Sequence, residues 1–283
     1  MLPRKRPRFK RSLNAVVTGR IKEESKTYDN APVDLKSSEL QIWDSTLYSE
    51  IVREYEYSLV QSVIDRSSPR TVLDVGCGPG WLSQYLSMRV ARTVGVDVSM
   101  ALLTHAKRNS SERAAFVLAD ACRLPLASGS IDLAICMGAL HHLPPKETLG
   151  ELRRVLGRGG ELLLFEPNAL NLIAMIGRRV FPTEVHTANE VPFNPLKLSQ
   201  LLSSNDWKIL HWETRFYFVF VLSRIFKIIG TQRNLSKRLL PLVARLEDLC
   251  TSSGVGENMG WIIACVARPG GTFHQVAEAG PIQ

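Results

Sequence analysis

Three glycines and one aspartate in the first third of the chain have the residue types and spacing that can hold a nucleotide. The apolar run Thr71–Val75 predicts a buried strand, and the turn after it contains Gly76, Gly78 and Gly80. Glycine lets the backbone adopt positive φ angles and come close to a ligand. Asp97 ends a second predicted strand, where its carboxylate can accept hydrogen bonds from ribose hydroxyls, so the pattern predicts a ligand that contains a ribose.

The spacing of the glycines distinguishes two classes of ligand. Dinucleotide-binding proteins such as dehydrogenases carry G-x-G-x-x-G and place the pyrophosphate on the N-terminus of the next helix. Here the spacing is G-x-G-x-G, one residue shorter and with Pro79 inside it. The glycine turn by itself leaves both a dinucleotide and a different nucleotide cofactor open.

Short apolar runs alternate with amphipathic segments around this turn, and this alternation predicts the fold. After the first strand, further strands are predicted over residues 92–96, 115–118, 131–137 and 161–165. Helices are predicted to begin after Ser99 and at Lys146. Strands that alternate with helices indicate an α/β fold with a doubly wound parallel sheet and right-handed crossovers.

Five ordered motifs resemble those of class I S-adenosylmethionine-dependent methyltransferases of the small-molecule type. The first is the segment VLDVGCGPG, and the resemblance covers about residues 70–170. The other four are Asp97, the segment LADA with Asp120 and Ala121, the strand Ile131–Met137, and the turn over 153–160. Because five separate elements agree, we favour this family over the dehydrogenases.

The resemblance implies a seven-stranded, mostly parallel Rossmann-like sheet with S-adenosyl-L-methionine as the cofactor. It places Asp97 on the ribose and puts Asp120, Ala121 and Met137 beside the adenine. The residues expected to face the methionine part are Asp74, Gly76, Gly78 and Gly80. Simpler roles stay open: Asp97 as a helix N-cap, Asp120 as a solvated acid and Met137 as a core residue.

Methyl transfer is an in-line displacement in which alignment supplies most of the rate, and a general base helps when the acceptor is a hydroxyl or an acidic carbon. The candidates for a base near the strand ends are His141, His142, Glu166 and His186. Of these we predict His142 or Glu166, with the alternative that they only hydrogen-bond the loops. Glu166 ends the fifth predicted strand, so we expect its carboxylate to face the substrate side of the cleft. No metal site is expected.

The resemblance and the patterns around it divide the chain into four parts, one of which contains an insertion. We expect a basic, disordered tail (1–27), a helical segment (28–70), a methyltransferase domain (71–270) with a helical lid insertion at about 216–250, and a C-terminal tail (271–283). Within the domain, Asn194 and Pro195 are typical of a helix start, and two more strands are predicted within 207–220 and 260–267.

The charge of the chain bears on its binding partners, and its cysteine content bears on its cellular compartment. The formal net charge is +8, and the first eleven residues hold six Lys or Arg and no acid. Such a tail either is only solvated or contacts a phosphate backbone or an anionic membrane. The five cysteines are scattered without a C-x-x-C pair, so we expect a cytoplasmic protein, with peripheral membrane contact as an open alternative.

The apolar and basic segment 215–229 favours a small or lipid-like methyl acceptor, such as a quinone, a polyprenyl compound or a glycolipid precursor. An equal alternative is a sixth strand that leads into a helix packed on the sheet. A nucleic-acid methyltransferase is disfavoured because residues 136–140 lack the Pro-Pro-aromatic run and no basic patch interleaved with aromatic residues accompanies the basic tail. A non-catalytic partner subunit with this fold stays a further alternative, and the oligomeric state is left open.

Overall fold

A computed structural model describes Lys26, Asp29 and residues 48–180, 191–219, 222, 233–253 and 258–270 of the chain. It contains a seven-stranded sheet with the strand order β3-β2-β1-β4-β5-β7-β6. The strands are β1 (Thr71–Val75), β2 (Arg92–Asp97), β3 (Ala114–Leu118), β4 (Ile131–Met137), β5 (Leu156–Pro167), β6 (Trp207–Arg215) and β7 (Ile262–Pro269). The first five strands pair in parallel, whereas β7 is antiparallel to both β5 and β6. The predicted α/β doubly wound, mostly parallel sheet is confirmed.

Seven α-helices within the described residues cover the two faces of this sheet. They are α1 (Glu54–Ser67), α2 (Trp81–Ser87), α3 (Met100–Asn109), α4 (Pro145–Val155), α5 (Leu172–Val180), α6 (Pro195–Ser204) and α7 (Arg233–Ser252). A π-helical turn (Tyr48–Arg53) precedes α1, and a short 3-10 turn (Leu140–His142) follows β4.

Two of the three predicted helix starts have the expected caps. The Ser99 hydroxyl accepts a hydrogen bond from the backbone N–H of Leu102 at 3.2 Å, and the Asn194 side chain caps α6 in the same way, with Pro195 as the first helical residue. One boundary differs from the prediction. β5 begins at Leu156, directly after α4, and runs through three glycines before its apolar centre, so it is longer than the predicted strand over 161–165.

Each sheet face has its own apolar core. On one face α4 and α6 pack on the central strands through leucines such as Leu152 and Leu198. On the other face α1, α2, α5 and α7 pack on the same strands, with Val60, Leu86 and Val243 among the buried residues. β5 is buried on both faces, as expected for a central strand, and its position brings its carboxyl end beside that of β4.

Some predicted segments lie outside the described residues. These are the basic tail except Lys26, residues 28 and 30–47 of the predicted helical segment, the C-terminal tail over 271–283, His186, and part of the predicted lid at residues 220–221 and 223–232. The described part of that lid consists of residues near Phe216 and Val219, which are buried against the sheet, and of α7. Within the described ranges, no helix combines the length and apolar character needed to cross a bilayer.

Candidate functional site

The glycine turn lies at the carboxyl ends of β1 and β4, and its three glycines all have positive φ, at 64° for Gly76, 51° for Gly78 and 85° for Gly80. A Cβ added to Gly76 would lie 2.5 Å from the Cβ of Ala139, and one added to Gly80 would lie 2.6 Å from the Cβ of Ala106. A Cβ on Gly78 would meet no atom within 4 Å. Gly76 and Gly80 therefore allow close packing, while Gly78 borders open space.

Asp97 joins the end of β2 to this turn. One oxygen of its carboxylate accepts a hydrogen bond from the backbone N–H of Gly78 at 2.9 Å, and the other accepts one from the N–H of Ser99 at 2.8 Å. Burial raises the pKa of Asp97, and these backbone donors oppose the rise. The N-cap of α3 is Ser99, so capping does not explain Asp97. The backbone N–H of Val98 also interacts with this carboxylate. A carboxylate has about four acceptor positions, so at least one stays available for a ribose hydroxyl.

Asp74 lies under the turn rather than in open space. It is buried, and its carboxylate accepts a hydrogen bond from the hydroxyl of Ser83, a buried residue of α2, at 2.6 Å. Burial is the largest cause of a rise in its pKa to about 7, which the Ser83 hydroxyl partly offsets. Asp74 thus ties α2 to β1 behind the glycines, and its contact with the methionine part of a cofactor stays a prediction.

The residues predicted to border the adenine lie at the ends of neighbouring strands. Asp120 and Ala121 are buried just beyond β3, and Asp120 accepts a hydrogen bond from the backbone N–H of Cys122 at 2.8 Å. This position excludes the alternative of a solvated acid. Met137 ends β4, is half-buried and packs against the core on the side of α1 and α5. Their contacts with a cofactor stay predictions.

Glu166 has a different surrounding from the one expected. Its carboxylate was expected to face the substrate side of the cleft, but it is buried and turned towards the 3-10 turn after β4. It accepts hydrogen bonds from the backbone N–H of Leu140 at 2.8 Å and of His141 at 3.2 Å. The Nδ1 atom of His141 lies 2.7 Å from the same carboxylate, and both side chains are buried. The pair therefore fixes the shape of the turn.

His142 follows this buried pair and is the more exposed of the two histidines. It is half-buried, and its ring centroid lies 4.1 Å from that of His141. Its predicted role as a base is compatible with this position and stays a prediction. In the part of the chain that the structure describes, no group of three or more His, Cys, Asp or Glu side chains has the arrangement of a metal site.

Two acidic side chains were missed by sequence reasoning, one beside the site and one buried on α1. The first is Asp29, whose carboxylate accepts hydrogen bonds from the Ser99 hydroxyl at 2.6 Å and from the backbone N–H of Ala101 at 3.2 Å, beside Asp97. Its distance from Ser99 along the sequence hides this contact. The second is Glu56, which is buried on α1 between Val52 and Val60. A glutamate that interrupts an apolar stripe at positions four residues apart was the available signal.

Replacing Glu56 with glutamine is expected to stabilise the protein at pH 9 and not at pH 5. Burial raises the pKa of Glu56 in the folded state to about 8, against about 4.3 in an unfolded chain. Because the pKa is higher in the folded state, the stability that Glu56 contributes to the fold is fully present below the unfolded-state pKa. This contribution is lost as the pH rises through about 8. Glutamine cannot ionise, so the free energy of unfolding at pH 9 should rise by an amount on the order of 2 kcal/mol.

Thermal unfolding followed by fluorescence at both pH values measures this difference. Glu54→Gln is the matched control, because Glu54 is an exposed glutamate on the same helix. A difference in Tm between Glu56→Gln and the wild type that is the same at pH 5 and pH 9 would contradict the argument.

Comparison with known proteins agrees with this geometry. A family model described as "Methyltransferase domain" matches residues 73–164, from β1 to the centre of β5. The chain is 36% identical over 104 residues to a malonyl-[acyl-carrier protein] O-methyltransferase of Legionella pneumophila, a match that covers 34% of this chain and 36% of that protein. It is 35% identical over 105 residues to the demethylmenaquinone methyltransferase of Thermus thermophilus, with 35% of this chain and 48% of that protein covered.

These matches are partial in length. The chain spans between 36% and 50% of the curated relatives that it matches first. Among solved structures, the geranyl diphosphate C-methyltransferase of Streptomyces coelicolor A3(2), crystallised with Mg²⁺, geranyl diphosphate and S-adenosyl-L-homocysteine, superposes with a TM-score of 0.58. That likeness covers 89% of this chain and 98% of the other at 14% identity, and it establishes a shared fold.

Proposed function

The chain belongs, through the domain that includes residues 73–164, to the class I S-adenosylmethionine-dependent methyltransferases, and we propose that it transfers a methyl group to a small lipophilic acceptor. The observation that carries the proposal is the Asp97 carboxylate, which is joined to the N–H of Gly78 where the glycine turn borders open space. This arrangement pairs a ribose acceptor with a backbone that can approach the rest of a nucleoside.

The cofactor residues fit this role in three groups. Asp97 would accept the ribose hydroxyls, while Asp120 and Met137 would border the adenine at the neighbouring strand ends. The backbone of the glycine turn would face the methionine part. S-adenosylmethionine, when bound, supplies a methyl group on a positively charged sulfur, which makes the leaving group good without acid catalysis. What the protein adds is alignment of the acceptor with the bond that breaks.

His142 is the residue that we assign to proton removal from the acceptor. It lies next to His141, whose imidazole is held by the buried carboxylate of Glu166. Glu166 also binds two backbone N–H groups of the same turn, so it fixes the direction in which His142 projects. In this proposal Glu166 is a positioning residue that acts through the turn, and a neutral imidazole of His142 accepts the proton.

The lipophilic character of the acceptor rests on two observations. One relative is named for demethylmenaquinone, a lipophilic quinone. The second observation is an apolar groove of about 290 Å³ bordered by Ile173, Phe218 and Leu246, on the face of the sheet where Met137 packs. An acceptor with a hydrocarbon part suits such walls.

Transfer of a labelled methyl group from S-adenosylmethionine into lipid extracts, quinones and polyprenyl compounds tests the proposal. The wild type should label at least one lipophilic fraction. An enzyme that binds S-adenosylhomocysteine but labels only hydrophilic small molecules would exclude the lipophilic acceptor, and one that labels RNA would favour the alternative of a nucleic-acid substrate.

His142→Gln is expected to lower kcat about a hundredfold with little change in affinity for S-adenosylhomocysteine, because a positioned base contributes roughly that factor. His105→Gln on α3 is the control and should keep the wild-type rate. Glu166→Gln should lower kcat and also shift the pH profile, since glutamine cannot accept all three hydrogen bonds around the turn. A wild-type rate in His142→Gln would show that transfer needs no base at this position.

A further inference from the structure

The apolar groove between α5 and α7 opens onto an exposed apolar surface. Its described walls are Ile173, Phe218, Leu222, Val243 and Leu246. Ile173 and Leu246 are themselves 40% and 43% exposed, so the groove continues outwards along both helices. An apolar groove with apolar rims on two adjacent helices is unusual for a surface that only meets water.

Both helices extend the apolar rim with residues that are more exposed still. On α5, Leu172 and Ile176 are each 63% exposed; on α7, Leu242 is 56% and Leu249 is 64% exposed. With about 100° between successive helical residues, Leu246, Leu242 and Leu249 fall within an arc of about 60°. Ile173, Ile176 and Leu172 likewise follow one another across about 100° of α5. The surface formed by α5 and α7 is thus continuous with the groove.

Cationic side chains border this surface. Arg238 and Arg245 are exposed on α7, and they lie about 20° and 40° from Leu249 around the helix. On α5 the exposed Arg179 lies about 20° from Leu172, on the side of Leu172 that faces away from Ile173. Apolar residues beside arginines are the composition of a helix that lies in the interface of a bilayer.

The acidic groups of α7 point away from the leucines. Glu247 is buried, and it accepts hydrogen bonds from the backbone N–H groups of Tyr217, Phe218 and Val219. Asp248 is exposed, but it lies about 100° from Leu249, on the far side of Arg245, and it is paired with Arg215. The outward face of the described helices is therefore apolar and positively charged.

We propose that the surface formed by α5 and α7 docks on an anionic lipid bilayer. Anionic headgroups complement the three arginines, while the acyl boundary takes up the leucines and isoleucines. A second copy of the chain is the less suitable occupant, because a two-fold contact would bring the same arginines together. The proposal goes beyond methyl transfer, since docking requires neither cofactor nor acceptor.

Flotation of the full chain with vesicles tests the docking surface directly. The wild type should float with vesicles that contain phosphatidylglycerol and much less with pure phosphatidylcholine. The double variant Leu242→Ser/Leu249→Ser should bind at least about tenfold more weakly, since each lost leucine removes several buried methylene equivalents. The control Met88→Ser/Leu196→Ser alters residues that are 64% and 59% exposed elsewhere on the protein, and it should bind like the wild type.

The remaining measurements separate this proposal from its rivals. Affinity for S-adenosylhomocysteine should be unchanged in the leucine variant, which shows that it is folded and that docking is independent of the methyltransferase assignment. Wild-type protein that stays unbound with both kinds of vesicle would overturn the proposal. So would a leucine variant that floats like the wild type, because binding would then come from other basic segments. A shift from dimer to monomer in the leucine variant by light scattering would assign the surface to a second copy.

Discussion

Replacing Asp97 with alanine is expected to weaken the binding of S-adenosylhomocysteine about a thousandfold. In the proposed site the carboxylate would accept charge-assisted hydrogen bonds from two ribose hydroxyls, each contributing about 1.5–3 kcal/mol. It also holds the N–H of Gly78 at 2.9 Å, so the glycine turn loses a tether when the side chain is truncated. Isothermal titration of purified protein measures the change, and about 4 kcal/mol corresponds to the expected factor.

Two controls make the Asp97 result interpretable. Glu112→Ala removes an exposed carboxylate near the opposite end of β3 and should leave the affinity unchanged. Asp97→Asn keeps one acceptor oxygen and should fall between the wild type and Asp97→Ala. Wild-type protein that does not bind S-adenosylhomocysteine at all would refute the cofactor site, whereas equal binding by Asp97→Ala would refute only the role given to Asp97.

Gly76→Ala is expected to lower the free energy of unfolding by about 4 kcal/mol, which is the largest stability effect that we predict. Two costs combine. The positive φ of 64° at this position strains any residue with a Cβ, at about 1–3 kcal/mol. The added Cβ would also overlap with the Cβ of Ala139, which lies 2.5 Å from it. Overpacking of a buried site costs a further 1–3 kcal/mol or so. Urea unfolding followed by circular dichroism measures the loss.

Gly159→Ala separates the two costs. Gly159 has a φ of 80°, yet a Cβ there would meet no atom within 4 Å, so only backbone strain of about 1 kcal/mol remains. The double variant Gly76→Ala/Ala139→Gly removes the overlapping Cβ and should recover part of the lost stability. If Gly76→Ala is no more destabilising than Gly159→Ala, the close approach to Ala139 does not limit the turn.

The strand, turn and helix around the glycines were predictable because they depend on consecutive residues. The β1 run, the positive-φ glycines and the Ser99 cap are each read from a few neighbouring positions, and the structure has them where the sequence predicted. The parallel order of the first five strands also follows from alternation with helices. The positions of Asp97 and Asp120 at the strand ends were set by the same local pattern.

Contacts between distant residues were not predictable in this way. The sequence placed Glu166 at the end of β5, but the register between β4 and β5 turns its carboxylate towards Leu140 and His141. A shift of one residue would have moved that side chain to the other face of the sheet. No spacing within either strand reports this register, so the expectation of an open-facing carboxylate was wrong.

Partners were also predictable from the sequence only in part, because sequence patterns are local and a binding surface is not. Apolar and basic residues near position 220 predicted a lipophilic partner, and the resemblance to methyltransferases predicted the cofactor. Only the tertiary structure brings α5 beside α7, from segments about sixty residues apart, and leaves their leucines and arginines on one exposed surface. Local propensity and motif chemistry are encoded in short stretches of chain, whereas a surface shared by two distant helices exists only once the sheet on which both pack has formed.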